Sequence, residues 1–192
     1  MLLFNGSRHN QTNSFNQDIY NYLYEQCEQN DLSVREFDLS EVSIPQFDPF
    51  ARSTPPEVFE MIELFREEEL QIWLAPLYHG SIPGVMKNAL DWLELTSNEA
   101  VPYLSDKKVG MICIADGLFA IQGINAMNAI AHTLRAWVLP YSIPINKSEA
   151  QIRNPQYLSR FYQSKIEMMT RLIKKEKVKS AESKVINHRP NE

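Results

Sequence analysis

The chain has 192 residues, of which 44% are hydrophobic and 22% charged, with a formal net charge of −5. That length makes one domain with a sizeable core, and the composition is that of a soluble globular protein and not of a disordered or membrane-spanning one. The mildly acidic balance gives no reason to expect nucleic acid, and no apolar run reaches the roughly 18 residues that a bilayer demands.

The opening residues Met1, Leu2, Leu3, Phe4 and Asn5 are too short for a signal peptide. Cys27 and Cys113 lack metal-ligand spacing and read as buried thiols of a reducing compartment, so a cytoplasmic protein is expected.

In chain order, the apolar residues 1–5 end at Gly6 and predict a first strand. Phe15, Ile19, Tyr22, Leu23 and Cys27 then recur at helical spacing within residues 14–29. Alternation over residues 33–39 predicts a second strand, followed by a proline-rich surface connection at residues 44–49. Pro55 and Pro56 open a helix carrying Val58, Phe59, Ile62 and Phe65. Residues 70–75, partly β-branched and aromatic and bounded by Pro76, predict a buried central strand. A tight turn marked by Pro76, Gly80 and Pro83 leads into a further helix, with Ser81 as N-cap and Pro83 in the first turn.

Residues 107–115 predict a fourth strand ending at Asp116 and Gly117, residues 124–137 a long helix, and residues 138–143 the last strand. Pro155 opens a terminal helix through Leu158, Phe161, Ile166, Met169 and Leu172. Such alternation implies an α/β fold, a mostly parallel sheet covered on both faces and joined by right-handed crossovers. From Lys174 onward the apolar period stops, and Lys174, Lys175, Lys177 and Lys179 interleave with acidic and serine residues. Residues 1–173 are therefore expected to form the domain and residues 174–192 a polar, disordered tail. No aromatic residue accompanies those lysines, which favours solvation over contact with nucleic acid or lipid.

A strand that runs into a glycine-containing turn and then a helix leaves unpaired backbone N–H groups at the carboxyl edge of the sheet, where open α/β folds bind ligands. The stretch that does so here, Pro76-x-Tyr78-x-Gly80-Ser81-x-Pro83-Gly84-x-x-Lys87-Asn88-Ala89-x-Asp91-Trp92, resembles the signature of the NAD(P)H-dependent FMN reductases. These are flavodoxin-like enzymes related to quinone and azo reductases, and the match is long and ungapped. The resemblance implies a flavodoxin-like three-layer sandwich with a parallel five-stranded sheet of order 2-1-3-4-5. It also implies FMN as cofactor and NADPH or NADH as co-substrate.

Three loops carry the expected chemistry. In the first, Gly6-Ser7-Arg8-His9-Asn10-Gln11-Thr12-Asn13-Ser14, hydroxyl and amide side chains gather at a helix N-terminus. They suit a phosphate monoester, or serve only as helix caps. The loop is similar to the family's phosphate loop, which implies Ser7, Thr12, Asn13 and Ser14 around the FMN phosphate. Where the family has arginine this chain has His9, with Arg8 one place earlier: either Arg8 reaches the phosphate or neutralisation is weaker and pH-dependent through His9.

In the second loop, the resemblance implies that Pro76, Leu77, Tyr78, His79 and Gly80, with Ser81, line the isoalloxazine. Backbone N–H groups near His79 and Gly80 would face its N5 and O4 region and stabilise the negative charge that hydride transfer leaves on the ring. His79 itself is either a structural turn residue or an acid-base group. The third loop is glycine-rich in relatives and closes over the pyrimidine edge. Here only Asp116, Gly117 and Gly123 keep that character, while Leu118, Phe119 and Ile121 make it bulkier.

Ile82, Val85, Met86, Ala89, Leu90, Trp92 and Leu93 spread apolar side chains over more than one helix face. Either a second subunit or the chain's own loop at residues 96–104 covers them. The family's homodimers use this region, which implies a homodimer or a dimer of dimers. Two functions use FMN: an oxidoreductase that takes hydride from NAD(P)H and reduces a flavin, quinone or other small-molecule electron acceptor, or a flavodoxin-type carrier that meets protein partners. A flavin-free domain that acts by dimerising or binding a partner is the third. The reductase is the expected one, because the Lys87 to Trp92 signature is a reductase signature and the modest charge lacks the acidic face of a steered carrier. No metal and no catalytic side chain beyond the flavin are expected.

Overall fold

The structure, a computed structural model, describes residues 1–8, 15–150 and 158–187. Its strands are Leu2–Asn5 (β1), Arg35–Asp38 (β2), Leu70–Pro76 (β3), Lys108–Ala115 (β4) and Trp137–Asn146 (β5), all paired in parallel in the order β2-β1-β3-β4-β5. The helices are Phe15–Gln29 (α1), Pro56–Glu67 (α2), Gly84–Asp91 (α3, continued by a 3-10 turn at Trp92–Thr96), Ala120–Thr133 (α4), the short Lys147–Ala150 (α5) and Arg160–Asn187 (α6). This is the flavodoxin-like sandwich expected from the sequence.

Strand alternation divides the core in two. Phe4, Trp73, Ala75, Met111 and Cys113 face α2, α3 and α4. Leu3, Ile72, Leu74, Ile112 and Ile143 face α1 and α6. Every residue of β3 is buried, as a central parallel strand requires. Its one polar side chain, Gln71, is fully satisfied: Nε2 donates to the Phe65 carbonyl at 2.7 Å and Oε1 accepts from Trp73 Nε1 at 3.0 Å.

Several boundaries differ from the sequence expectation. Helix α4 starts at Ala120 and stops at Thr133 because Arg135 takes φ +65° and completes a Schellman motif. Its N–H donates to the His132 carbonyl at 3.0 Å, and the Ala136 N–H to that of Ala131 at 2.9 Å. Strand β5 is longer than residues 138–143. Its register against β4 shifts between Val109 and Met111, where a Cβ on Gly110 would already touch Leu139 at 3.3 Å and Met169 at 3.4 Å.

The expected change at Lys174 does not mark a helix end, since α6 continues through it to Asn187. Ile166, Met169 and Ile173 anchor α6 in the core, and charges beyond them find remote partners: Lys174 pairs with Asp31 at 3.1 Å and Glu176 with Lys108 at 2.7 Å. Hydrogen bonds from Lys108 and Lys179 hold the Glu176 carboxyl well below the usual range, at about 2.

Candidate functional site

The loops after β1, β3 and β4 leave three neighbouring strands at one sheet edge. At a strand spacing of about 4.8 Å they span about 10 Å, the scale of a nucleotide's phosphate-to-ring separation. The Gly6 N–H extends the ladder to the Leu74 carbonyl at 2.8 Å, and the Leu77 N–H does the same to Ile114 at 2.7 Å. Ser7 is buried, its N–H donating to Asn5 Oδ1 at 3.1 Å, while Asn5 Nδ2 donates to Asp38 Oδ1 at 3.0 Å. Arg8 is exposed and turns toward the β2–α2 connection, where Nη2 donates to Ser43 Oγ at 2.9 Å. Four of the expected phosphate ligands, His9, Thr12, Asn13 and Ser14, lie outside the described residues.

After Pro76 and Leu77, the second loop is a two-residue hairpin. The Tyr78 N–H donates to Ser81 O at 2.9 Å and the Ser81 N–H to Tyr78 O at 3.0 Å. Between them His79 and Gly80 take φ +49° and +81°, both positive as a type I′ turn demands. Ser81 is therefore a hairpin residue and not the expected N-cap. The α3 cap position belongs to Pro83, whose ψ is an extended 141° and whose carbonyl accepts the Met86 and Lys87 N–H groups at 3.0 and 3.1 Å, starting the helix without a side-chain bond. The turn also accounts for His79, since histidine, like asparagine, is among the non-glycine residues most tolerant of positive φ. Among the described residues neither the His79 nor the Gly80 N–H has a hydrogen-bond partner.

In the third loop Asp116 pairs with Lys147 at 3.6 Å, so the end of β4 is tied to the start of α5. Gly117 faces open space. Leu118 and Phe119 are 78% and 69% exposed, and with Tyr78 they place bare apolar surface at the mouth of the site. Below them Gly123 lets α4 touch β4: a Cβ there would lie 2.3 Å from Cys113 Sγ and 3.3 Å from Leu77 Cδ1. Burial pushes the Cys113 thiol up to about 12, which removes it as a nucleophile.

One function of the signature was not foreseen. Asn88 Nδ2 donates to the Pro45 carbonyl at 2.8 Å, Asn88 Oδ1 accepts the Phe47 N–H at 2.8 Å, and Trp92 Nε1 donates to the same Pro45 carbonyl at 2.9 Å. The Phe47 and Trp92 rings meet edge to face at 5.3 Å. Asn88 and Trp92 stand four residues apart on one helical stripe, the only local hint of a shared target. Lys87 and Asp91 form an ion pair on α3. Of the apolar residues expected to be covered by a second subunit or by the chain's own loop at residues 96–104, Ile82, Met86, Ala89, Leu90, Trp92 and Leu93 are buried within this chain. Trp92 is covered by residues 45–47, a segment the sequence reading did not assign to it.

These residues fit FMN in two respects. Among the described residues the His79 and Gly80 N–H groups have no partner and suit the acceptor edge of a flavin, and no described residue beyond the chain neighbours comes within 4 Å of a Cβ at Gly80 or Gly117, which leaves a flat ring room beside the backbone. Among the described residues no three His, Cys, Asp or Glu side chains are grouped to hold a metal, and no helix is long and apolar enough to cross a membrane.

A parallel sheet of order β2-β1-β3-β4-β5 with open turns at this edge defines a flavodoxin-like α/β protein, and sequence comparison narrows the class. The profile of the NADPH-dependent FMN reductases matches residues 1–150, and the chain belongs to that family. The NADPH-dependent FMN reductase ArsH of Rhizobium meliloti is 26% identical over 143 residues, covering 73% of this chain and 58% of the relative. This chain thus spans little more than half the length of that relative. The FMN-dependent NADPH-azoreductase of Staphylococcus aureus is 29% identical over 145 residues, 72% of this chain and 73% of its own. Among solved structures, the flavoenzyme NAD(P)H:(acceptor) oxidoreductase FerB of Paracoccus denitrificans superposes with a TM-score of 0.69 at 17% identity, over 91% of this chain and 94% of that one. An FMN-dependent NADH-azoreductase of Bacillus anthracis, in complex with FMN, gives 0.64 at 14%, over 90% and 98%. These two likenesses speak to the fold.

Proposed function

We propose that this protein is an NAD(P)H-dependent oxidoreductase that holds FMN at the edge formed by the β1, β3 and β4 loops and passes electrons to a flavin, a quinone, an azo compound or a similar flat acceptor. The observation that carries the reading is the type I′ turn at His79 and Gly80, which offers two adjacent backbone donors where the ring's N5 and O4 edge would lie. When bound, FMN supplies the redox chemistry, accepting hydride and releasing electrons. The chain's own part is to bind and orient. Ser7, Arg8, His9, Thr12, Asn13 and Ser14 hold the phosphate, the fixed turn dipoles favour negative charge on the ring, and Pro76, Leu77 and Tyr78 with Asp116 and Gly117 bound the slot. The exposed Leu118 and Phe119 give an apolar surface against which a flat acceptor packs.

Anaerobic mixing of the purified protein with FMN and NADPH tests this. Rapid bleaching of the bound yellow flavin is expected. A retained flavin that NADPH does not bleach identifies a flavodoxin-type carrier, and failure to retain flavin identifies a protein that acts through partners alone.

The same reading includes a homodimer. A groove of about 360 Å³ between α3 and α4 is lined by Phe47, Leu90, Tyr103, Ile130 and Leu134 and carries both Lys87 and Glu94. Charges of both signs beside apolar surface suit a twofold contact in which the same patch meets itself. Sedimentation is expected to give a dimer that Ile130→Arg converts to monomer. A monomeric unsubstituted protein would remove this part of the reading.

A further inference from the structure

We propose that Ser43 is a positioning residue for the flavin phosphate, holding Arg8 in place while being held itself by the Asn88 and Trp92 clamp on α3. The inference rests on the flavoprotein reading above and extends it to residues outside the phosphate loop.

Arg8 follows the buried Ser7 at the point where the chain leaves β1. A free arginine side chain samples many rotamers, and fixing one costs conformational entropy. Here its guanidinium is already engaged by Ser43 Oγ at 2.9 Å. Ser43 would be a poor anchor on a loose connection, but two residues later the backbone is gripped by three hydrogen bonds. Asn88 takes Pro45 O and the Phe47 N–H at 2.8 Å each, and Trp92 takes Pro45 O at 2.9 Å. Asn88 is thereby used as both donor and acceptor on one stretch of backbone, which fixes that stretch in translation and rotation. The cation next to the buried Ser7 is Arg8, and the clamped connection is what its guanidinium rests on. An Nη donor held in advance leaves the remaining guanidinium N–H groups for phosphate oxygens with less ordering to pay for on binding.

The phosphate is the discriminating feature, because riboflavin has the same ring and ribityl chain without it. Apo-protein is titrated with FMN and with riboflavin, following quenching of flavin fluorescence. Ser43→Ala is expected to weaken FMN binding about tenfold, the size of one charge-assisted hydrogen bond, and to leave riboflavin affinity unchanged. Ser43→Thr, which retains the hydroxyl, is expected to restore FMN affinity. Arg8→Ala is expected to weaken FMN at least as much, and adding Ser43→Ala to it to change nothing further. Asn88→Ala is expected to reproduce the phosphate-selective loss, read on the folded fraction established by its melting curve. Equal losses for FMN and riboflavin, or no loss on Ser43→Ala, would overturn the proposal while leaving flavin binding intact. If the unsubstituted protein quenches neither flavin, the flavoprotein reading itself falls.

Discussion

Gly123→Ala is expected to lower the unfolding free energy by about 1–3 kcal/mol, the usual cost of overpacking a tight core, and the melting temperature by several degrees. The added methyl would lie 2.3 Å from Cys113 Sγ, a separation that real side chains do not tolerate, and 3.3 Å from both Cys113 Cβ and Leu77 Cδ1. Cys113 is fully buried on β4, and its Cβ, which cannot rotate away, is itself 3.3 Å from the added methyl. The strain would be relieved by lifting α4 off the sheet, and α4 begins one residue after Phe119 at the mouth of the site. Flavin affinity should therefore fall with stability. Cys113→Ala removes the offending sulfur, so the double variant is expected to recover most of what the single one loses, a coupling that thermal melts of the four proteins measure directly. If Gly123→Ala melted like the unsubstituted protein, the close approach of α4 and β4 would be wrong.

Gly80→Val is expected to behave in the opposite proportion, weakening flavin binding by about tenfold or more while moving the melting temperature little. Gly80 has φ +81° and nothing within 4 Å of its Cβ position, so the penalty is conformational and not a clash. A β-branched residue in that region costs about 1–2 kcal/mol, and the turn escapes the cost by changing type, which redirects the His79 and Gly80 N–H groups. FMN and riboflavin should suffer equally, because the loss is at the ring. His79→Asn should leave both affinities in place, since asparagine enters the left-handed region as readily. Titration of the two variants with the two flavins separates these outcomes, and a Gly80→Val protein with full riboflavin affinity would remove the turn from the ring site.

Much of this architecture is legible in the sequence because local and global preferences agree there. Residues 70–75 form a buried central strand for the reason the sequence suggests: their apolar, partly β-branched side chains find partners on both faces of the sheet. The glycine-bearing turn after them is equally visible. Its internal pairing is not, since Ser81 can cap a helix or close a hairpin, and the two positive φ angles at His79 and Gly80 decide for the hairpin. The end of α4 was hidden because the left-handed cap is Arg135 and not a glycine. The guanidinium lies 5.4 Å from the centre of the Tyr103 ring, a contact with a segment some thirty residues earlier. Past Lys174 the charges of α6 meet Asp31 and Lys108, partners that no periodicity within the helix could announce. At the candidate site the apolar mouth and the three loops could be named in advance, but the grip of Asn88 on Pro45 and Phe47 joins residues more than forty positions apart and is visible only once the chain is folded.

Phe47 stands at a crossroads: its backbone is gripped by Asn88, while the residue lines the groove assigned to a second copy. In the dimer proposed here, association would press on the same segment that steadies Ser43 and hence Arg8. Self-assembly and prosthetic-group retention would then share one free energy, each tightening the other by an equal factor. Dilution alone would loosen the cofactor, and an apo population would be the first to come apart.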